Sequence, residues 1–116
     1  MDELKILLAG IKKATGLDAV PYLADTARGK MPAITYTFYR TQDDGAVARY
    51  RLLTRVHAST YAEALRISDV MADTLVSVGD ETRDGLVVEA NGGGSLIDED
   101  TNTPQQITYF DILSRS

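Results

Sequence analysis

The sequence has no cysteine and only one histidine in 116 residues, and both shortages remove chemistry. Without thiols there is no disulfide framework, no thiolate nucleophile and no sulfur-ligated zinc, and nothing points to an oxidising compartment. Synthesis in the cytoplasm is the default. Positive charge is also scarce: 17 acidic residues face 12 Lys and Arg, a formal net charge of -5, which argues against general affinity for nucleic-acid backbone or an anionic membrane. The deficit is local. Residues 1–79 carry ten basic and nine acidic side chains, whereas residues 80–116 carry two and eight, so the last third holds -6. Long apolar runs are missing too. Leu4 to Ile11 is interrupted by Gly10 and preceded by Asp2 and Glu3 rather than a basic segment, so neither a signal peptide nor a membrane span is expected.

What remains is enough for a core. The chain is 44% hydrophobic and has the length of one domain, which can bury an interior without metals or cross-links. One domain over residues 1–116 is expected, with no repeat, low-complexity tract or internal boundary.

Leu4, Leu7, Leu8 and Ile11 fall on one face of a helix between Asp2 and Thr15 that ends near Gly16. Leu17 to Pro32 contains Pro21, Gly29 and Pro32 without sustained periodicity, as expected of a long connection. Ala33 to Thr41 alternates Ile34, Tyr36 and Phe38 against Thr35, Thr37 and Tyr39, the period of a strand. Asp43, Asp44 and Gly45 mark a turn. From Val47 to Ala58, Tyr50, Leu52 and Val56 share one side and Arg49, Arg51, Arg55 and His57 the other, which predicts a hairpin with one wet face. Thr60 and Glu63 form a capping box for a second helix. Its apolar positions Tyr61, Leu65, Ile67, Val70, Met71, Ala72 and Leu75 span a broad face, and Gly79 is placed to stop it after about Ser77. Leu86 to Ala90 and Gln106 to Leu113 are expected strands, joined by a protruding loop from Asn91 to Pro104.

The expected fold is therefore α+β: a single antiparallel sheet of about four strands, with two helices packed on one face, in the order α-β-β-α-β-β.

Four features are candidate sites. Gly92, Gly93 and Gly94 resemble a phosphate cradle in composition alone, because no Lys-Ser/Thr pair opens a helix after them, and a flexible connection is the plainer reading. Asp98, Glu99 and Asp100 with Asn102 offer oxygens to a hard cation, but without the spacing, glycine and closing Glu of an EF-hand they are expected to be solvated. His57 lacks a recognisable nucleophile and orienting acid. No catalytic residue, cofactor or metal site is assigned. Arg49, Arg51 and Arg55, joined by Arg40 from the neighbouring strand, place guanidiniums on one sheet face. They form either a solvated face paired with nearby carboxylates or a contact surface for acids of an adjacent subunit.

Over nearly its whole length the chain resembles the tail terminator and tail completion proteins of long-tailed bacteriophages, also called head-tail joining or minor tail proteins. The resemblance rests on the N-terminal helix, Pro32-Ala33-Ile34-Thr35-Tyr36, the passage of Val56-His57-Ala58 into Tyr61-Ala62-Glu63-Ala64-Leu65, the segment Gly92 to Asp100, and Ile107-Thr108-Tyr109-Phe110-Asp111-Ile112 with Arg115. It implies a structural virion protein rather than an enzyme. Such a protein forms a homo-oligomeric ring, typically hexameric, that caps the tail tube, stops its polymerisation and meets the head-completion or connector protein. Genomic DNA passes through the hole without sequence-specific binding. The implied location is the virion tail, assembled in the host cytoplasm, with no membrane partner. On this resemblance Arg49, Arg51, Arg55 and His57 are candidate interface residues. Gly92 to Gly94 with Asp98, Glu99 and Asp100 form a candidate docking or lumen loop. The alternatives are another neck or tail component, such as a head-completion protein or tube subunit, and a small ligand-binding module.

Overall fold

The computed structural model describes residues 3–21, 32–43, 47–81, 86–98 and 103–115. In chain order these form α1 (Glu3–Thr15), β1 (Val20–Pro21), β2 (Ala33–Asp43), β3 (Val47–His57), α2 (Tyr61–Glu81), β4 (Leu86–Asp98) and β5 (Thr103–Arg115). The class is α+β. The sheet has five strands in the order β1-β2-β3-β5-β4, and it is mixed rather than purely antiparallel.

The additional strand is β1, which pairs parallel to β2 through Val20 with Thr35 and Pro21 with Tyr36. Two residues are too few to show an alternation, and a proline argues against a strand interior. At a sheet edge the missing proline N–H costs no ladder bond.

Both helices form for the reasons their sequences indicate. Leu7 and Ile11 of α1 are fully buried. Gly16 ends the helix at φ 75°, its N–H bonded to the Lys12 carbonyl at 2.8 Å, a left-handed cap that glycine adopts without strain. The Glu63 N–H donates to Thr60 Oγ1 at 3.1 Å, one half of the capping box. α2 continues to Glu81, a turn beyond the expected stop, because glycine permits a left-handed stop without enforcing one. Inside the helix Gly79 costs about 1 kcal/mol relative to alanine.

Strand register gives the sheet its two faces. Ile34 lies opposite Val56, Leu52 opposite Phe110, and Val88 opposite Ile112. All six join Leu86 in one cluster with Leu7 and Ile11 of α1 and Ala64, Ile67, Met71 and Leu75 of α2, so both helices lie against this face. Ser114 Oγ donates to Glu3 Oε1 at 2.9 Å, fixing the start of α1 to the end of β5. A small polar island sits within the layer. Thr54 Oγ1 donates to the Thr108 carbonyl at 3.2 Å, while Ser68 Oγ and Thr108 Oγ1 are 2.7 Å apart.

The loop expected from Asn91 to Pro104 is for the most part paired strand. β4 runs through the glycines to Asp98, opposite Thr103 of β5, with a register shift between Ala90 and Gly93. Gly92 at φ 85° and Gly93 at φ 154° form that bulge. A Cβ at Gly93 would stand 1.9 Å from the carbonyl oxygen of Ile107, so the two backbones approach as only glycine allows.

Candidate subunit interface on the open sheet face

The residues that alternate with the core positions make the opposite face, and no described element packs over it. β3 runs through its middle. Arg49 lies between Gln42 and Leu113, Arg51 between Tyr39 and Asp111, Leu53 between Thr37 and Tyr109, Arg55 between Thr35 and Ile107, and His57 between Ala33 and Gln105. β4 adds Val87 beside Leu113 and Glu89 beside Asp111. The face is closed at one end, where Thr35 and Gln105 are buried, and open at the other, where Arg49, Thr37, Tyr39, Val87 and Glu89 are exposed. An antiparallel sheet tolerates one solvated face, but this one mixes Leu, Ile and Tyr with its charges, a composition suited to contact with another chain.

Arg49, Arg51, Arg55 and His57 thus share the face to which their spacing assigns them. Arg40 does not join them. It pairs with Tyr50 on the helix-facing side, donating from Nη2 to the Tyr50 hydroxyl at 3.1 Å with its guanidinium carbon 5.4 Å from the ring centroid. Tyr50 in turn stacks on Phe38 at 5.1 Å. The parity of Ile34, Tyr36 and Phe38 carries on to Arg40, and the bulge between Arg40 and Gln42 comes too late to reverse it.

Arg51 is the best fixed of the stripe. Its Nε donates to Asp111 Oδ1 at 3.0 Å, Asn91 Nδ2 donates to Asp111 Oδ2 at 2.6 Å, and its guanidinium carbon lies 5.9 Å from the Tyr109 ring centroid. The Asn91 hydrogen bond, followed by that of Arg51 and its charge, holds the Asp111 carboxyl below the usual carboxylate range, against an opposing effect of burial. The same hydrogen bond and charge raise Arg51. One acid of the C-terminal third therefore meets the stripe within the chain. Arg49 makes no ion pair among the described residues.

His57 Nε2 lies 3.3 Å from Thr35 Oγ1, but the Thr35 side chain is buried, so this contact ties β2 to β3 and gives no hydroxyl access to a substrate. Gly92 and Gly93 form the bulge, and Gly94 follows in the paired strand opposite Ile107. Asp98 ends β4, while Glu99 and Asp100 lie outside the described residues, as does the Tyr22 to Met31 part of the long connection. Among the described residues no cluster of His, Asp or Glu is placed to hold a metal, and no helix is long and apolar enough to cross a membrane.

Two features escape a reading of residue order alone. Asn91 and Asp111 are twenty positions apart and meet as diagonal neighbours across β4 and β5, two residues along from Glu89, which lies opposite Asp111. The second lies on α2, where Tyr61, Leu65 and Val70, grouped by their apolar character with Ile67, Met71 and Leu75, are 43%, 47% and 40% exposed. The broad apolar face divides into a buried stripe and exposed positions on either side of it, Tyr61 and Leu65 on one flank and Val70 on the other. No protein-family model matches the chain, and no curated protein is similar to it in sequence.

Proposed function

We propose that this chain is a structural subunit of a long-tailed bacteriophage, a tail terminator that closes into a ring on the tail tube, halts its polymerisation and receives the head-completion protein. The observation that supports this reading most is the open sheet face. Arg49, Leu53, Tyr109 and Leu113, with Tyr39 and Val87 at its margins, form a surface on which a neighbouring subunit can bury apolar area and pair charge. Arg49, Arg51, Arg55 and His57 are its central residues. A closed ring needs two different patches on each subunit, and the exposed flank of α2 offers the second. The paired β4 and β5, with Asp98 ending β4 and Glu99 and Asp100 next in the sequence, form the segment proposed to dock on the tube or connector, or to present carboxylates that keep DNA from adhering in the hole.

The mass in solution tests the ring directly. Light scattering behind size exclusion, across protein concentration and salt, should show a closed oligomer of about six chains; a strict monomer under all conditions would remove the self-assembling ring. A tube subunit is the competing reading, favoured by β4, a 13-residue strand at the edge of the sheet and open to strand addition. Electron microscopy separates the two, because a terminator stops at one ring and a tube subunit stacks without limit.

A further inference from the structure

We propose that the outer stripe of α2 from one copy of this chain docks on the open sheet face of the next, so that neighbours associate helix on sheet. The inference rests on the ring reading and deepens it by naming the two surfaces. On the helix, Tyr61, Leu65, Asp69 and Asp73 recur every four residues and are all exposed, with Val76 one turn further along the same flank. On the sheet, Arg49, Arg51, Leu53 and Arg55 recur every two residues along β3.

The repeats match in length and in chemistry. Four helical residues advance about 6 Å and turn about 40° round the helix, and two strand residues advance about 6.6 Å, so an α2 laid antiparallel to β3 stays nearly in step over three intervals along a stripe that winds slowly round the helix. Asp73 then falls over Arg49, Asp69 over Arg51, Leu65 over Leu53 and Tyr61 over Arg55. Both acids meet guanidiniums, leucine meets leucine between Ile107 and Tyr109, and a tyrosine ring meets a cation. Asp111 engages the Nε of Arg51, and a guanidinium carries five donors, so Asp69 adds a second carboxylate to the same group. Asp69, Asp73 and Arg49 make no ion pair among the described residues. Arg66 lies about 60° round the helix from Asp69 and about 20° from Asp73, on the margin of the stripe that Asp73 occupies. The two surfaces lie on opposite sides of one sheet layer, so the contact is heterologous and each subunit gives one surface and accepts the other.

Charge exchange tests the pairing. One variant carries Asp73→Lys, the other Arg49→Glu, and both alter exposed positions, with far-UV circular dichroism confirming the fold. By light scattering each variant alone should need about tenfold or more protein to reach the oligomer formed by the unmodified chain. An equal mixture should restore that oligomer, because every contact between unlike variants is again of opposite charge. Variants that assemble like the unmodified chain overturn the contact and leave the ring standing, as does a mixture that stays dissociated when each variant alone has lost assembly. An unmodified chain that is monomeric throughout overturns both.

Discussion

Arg51 of β3 and Asp111 of β5 face each other across the centre of the sheet, Nε to Oδ1 at 3.0 Å, on the side away from both helices. The link is partly open to solvent, with side-chain exposures of 37% and 38%, so screening keeps its contribution small. Its sign is definite. The folded carboxyl of Asp111 titrates below its ordinary value, mainly through the Asn91 hydrogen bond. The associated stability is therefore present above the unfolded pKa and is lost as pH falls through the folded one. Asp111→Asn should lower the urea midpoint slightly at pH 7 and make less difference below about pH 4. A gap that stayed constant with pH would show that the carboxylate charge is not involved.

Gly93 and its neighbours respond differently to the same substitution. At Gly93 an added methyl meets the backbone oxygen of Ile107, which has no flexible side chain to yield, so Gly93→Ala should cost about 2–3 kcal/mol. Gly92→Ala, at φ 85° but in open space, should cost about 1 kcal/mol. Gly94 has nothing within 4 Å and no positive φ, and alanine there should be neutral within about 0.5 kcal/mol. Denaturant unfolding of the three variants ranks them. Equal small effects would mean that the segment behaves as a loop.

That contrast marks where the sequence is legible. Alternation in β2 and β3 assigns the faces of Ile34, Leu52, Val56 and the arginine stripe because one side of the pleat is buried and the other is not. The glycines mislead because φ preference is identical in a bulge and a loop, and the difference lies in pairing with Ile107 and Thr108, residues fourteen to fifteen positions away. β1 is hidden for a related reason, since its two residues are strand by virtue of β2 alone. The pairing of Arg51 with Asp111 needs the β3–β5 register, which no local pattern encodes.

Leu65 and Leu75 belong to the same helix and the same apolar pattern, yet Leu75 is fully buried and Leu65 is 47% exposed. Leu75→Ala should cost about 2–5 kcal/mol through lost burial and the cavity left in the core beside the preceding turn of α2. Leu65→Ala should fall within about 0.5 kcal/mol in dilute, dissociated protein. Thermal unfolding at low concentration compares them. A large cost at Leu65 would place that side chain in the core and remove it from the outer stripe.

Ser68 and Thr108 place two hydroxyls 2.7 Å apart beside that of Thr54 in a mostly apolar layer, with Ser68 3% exposed. Replacing one of them strands the other, since a buried hydroxyl without its partner keeps its desolvation cost and loses the compensating bond. Ser68→Ala and Thr108→Val should each destabilise by about 1–2 kcal/mol. The double variant removes both polar groups and should cost less than the sum of the two singles. A double-mutant cycle by denaturant unfolding at neutral pH measures the coupling directly. Strict additivity would mean that the two hydroxyls are solvated independently and that the island between α2 and β5 contributes nothing as a pair.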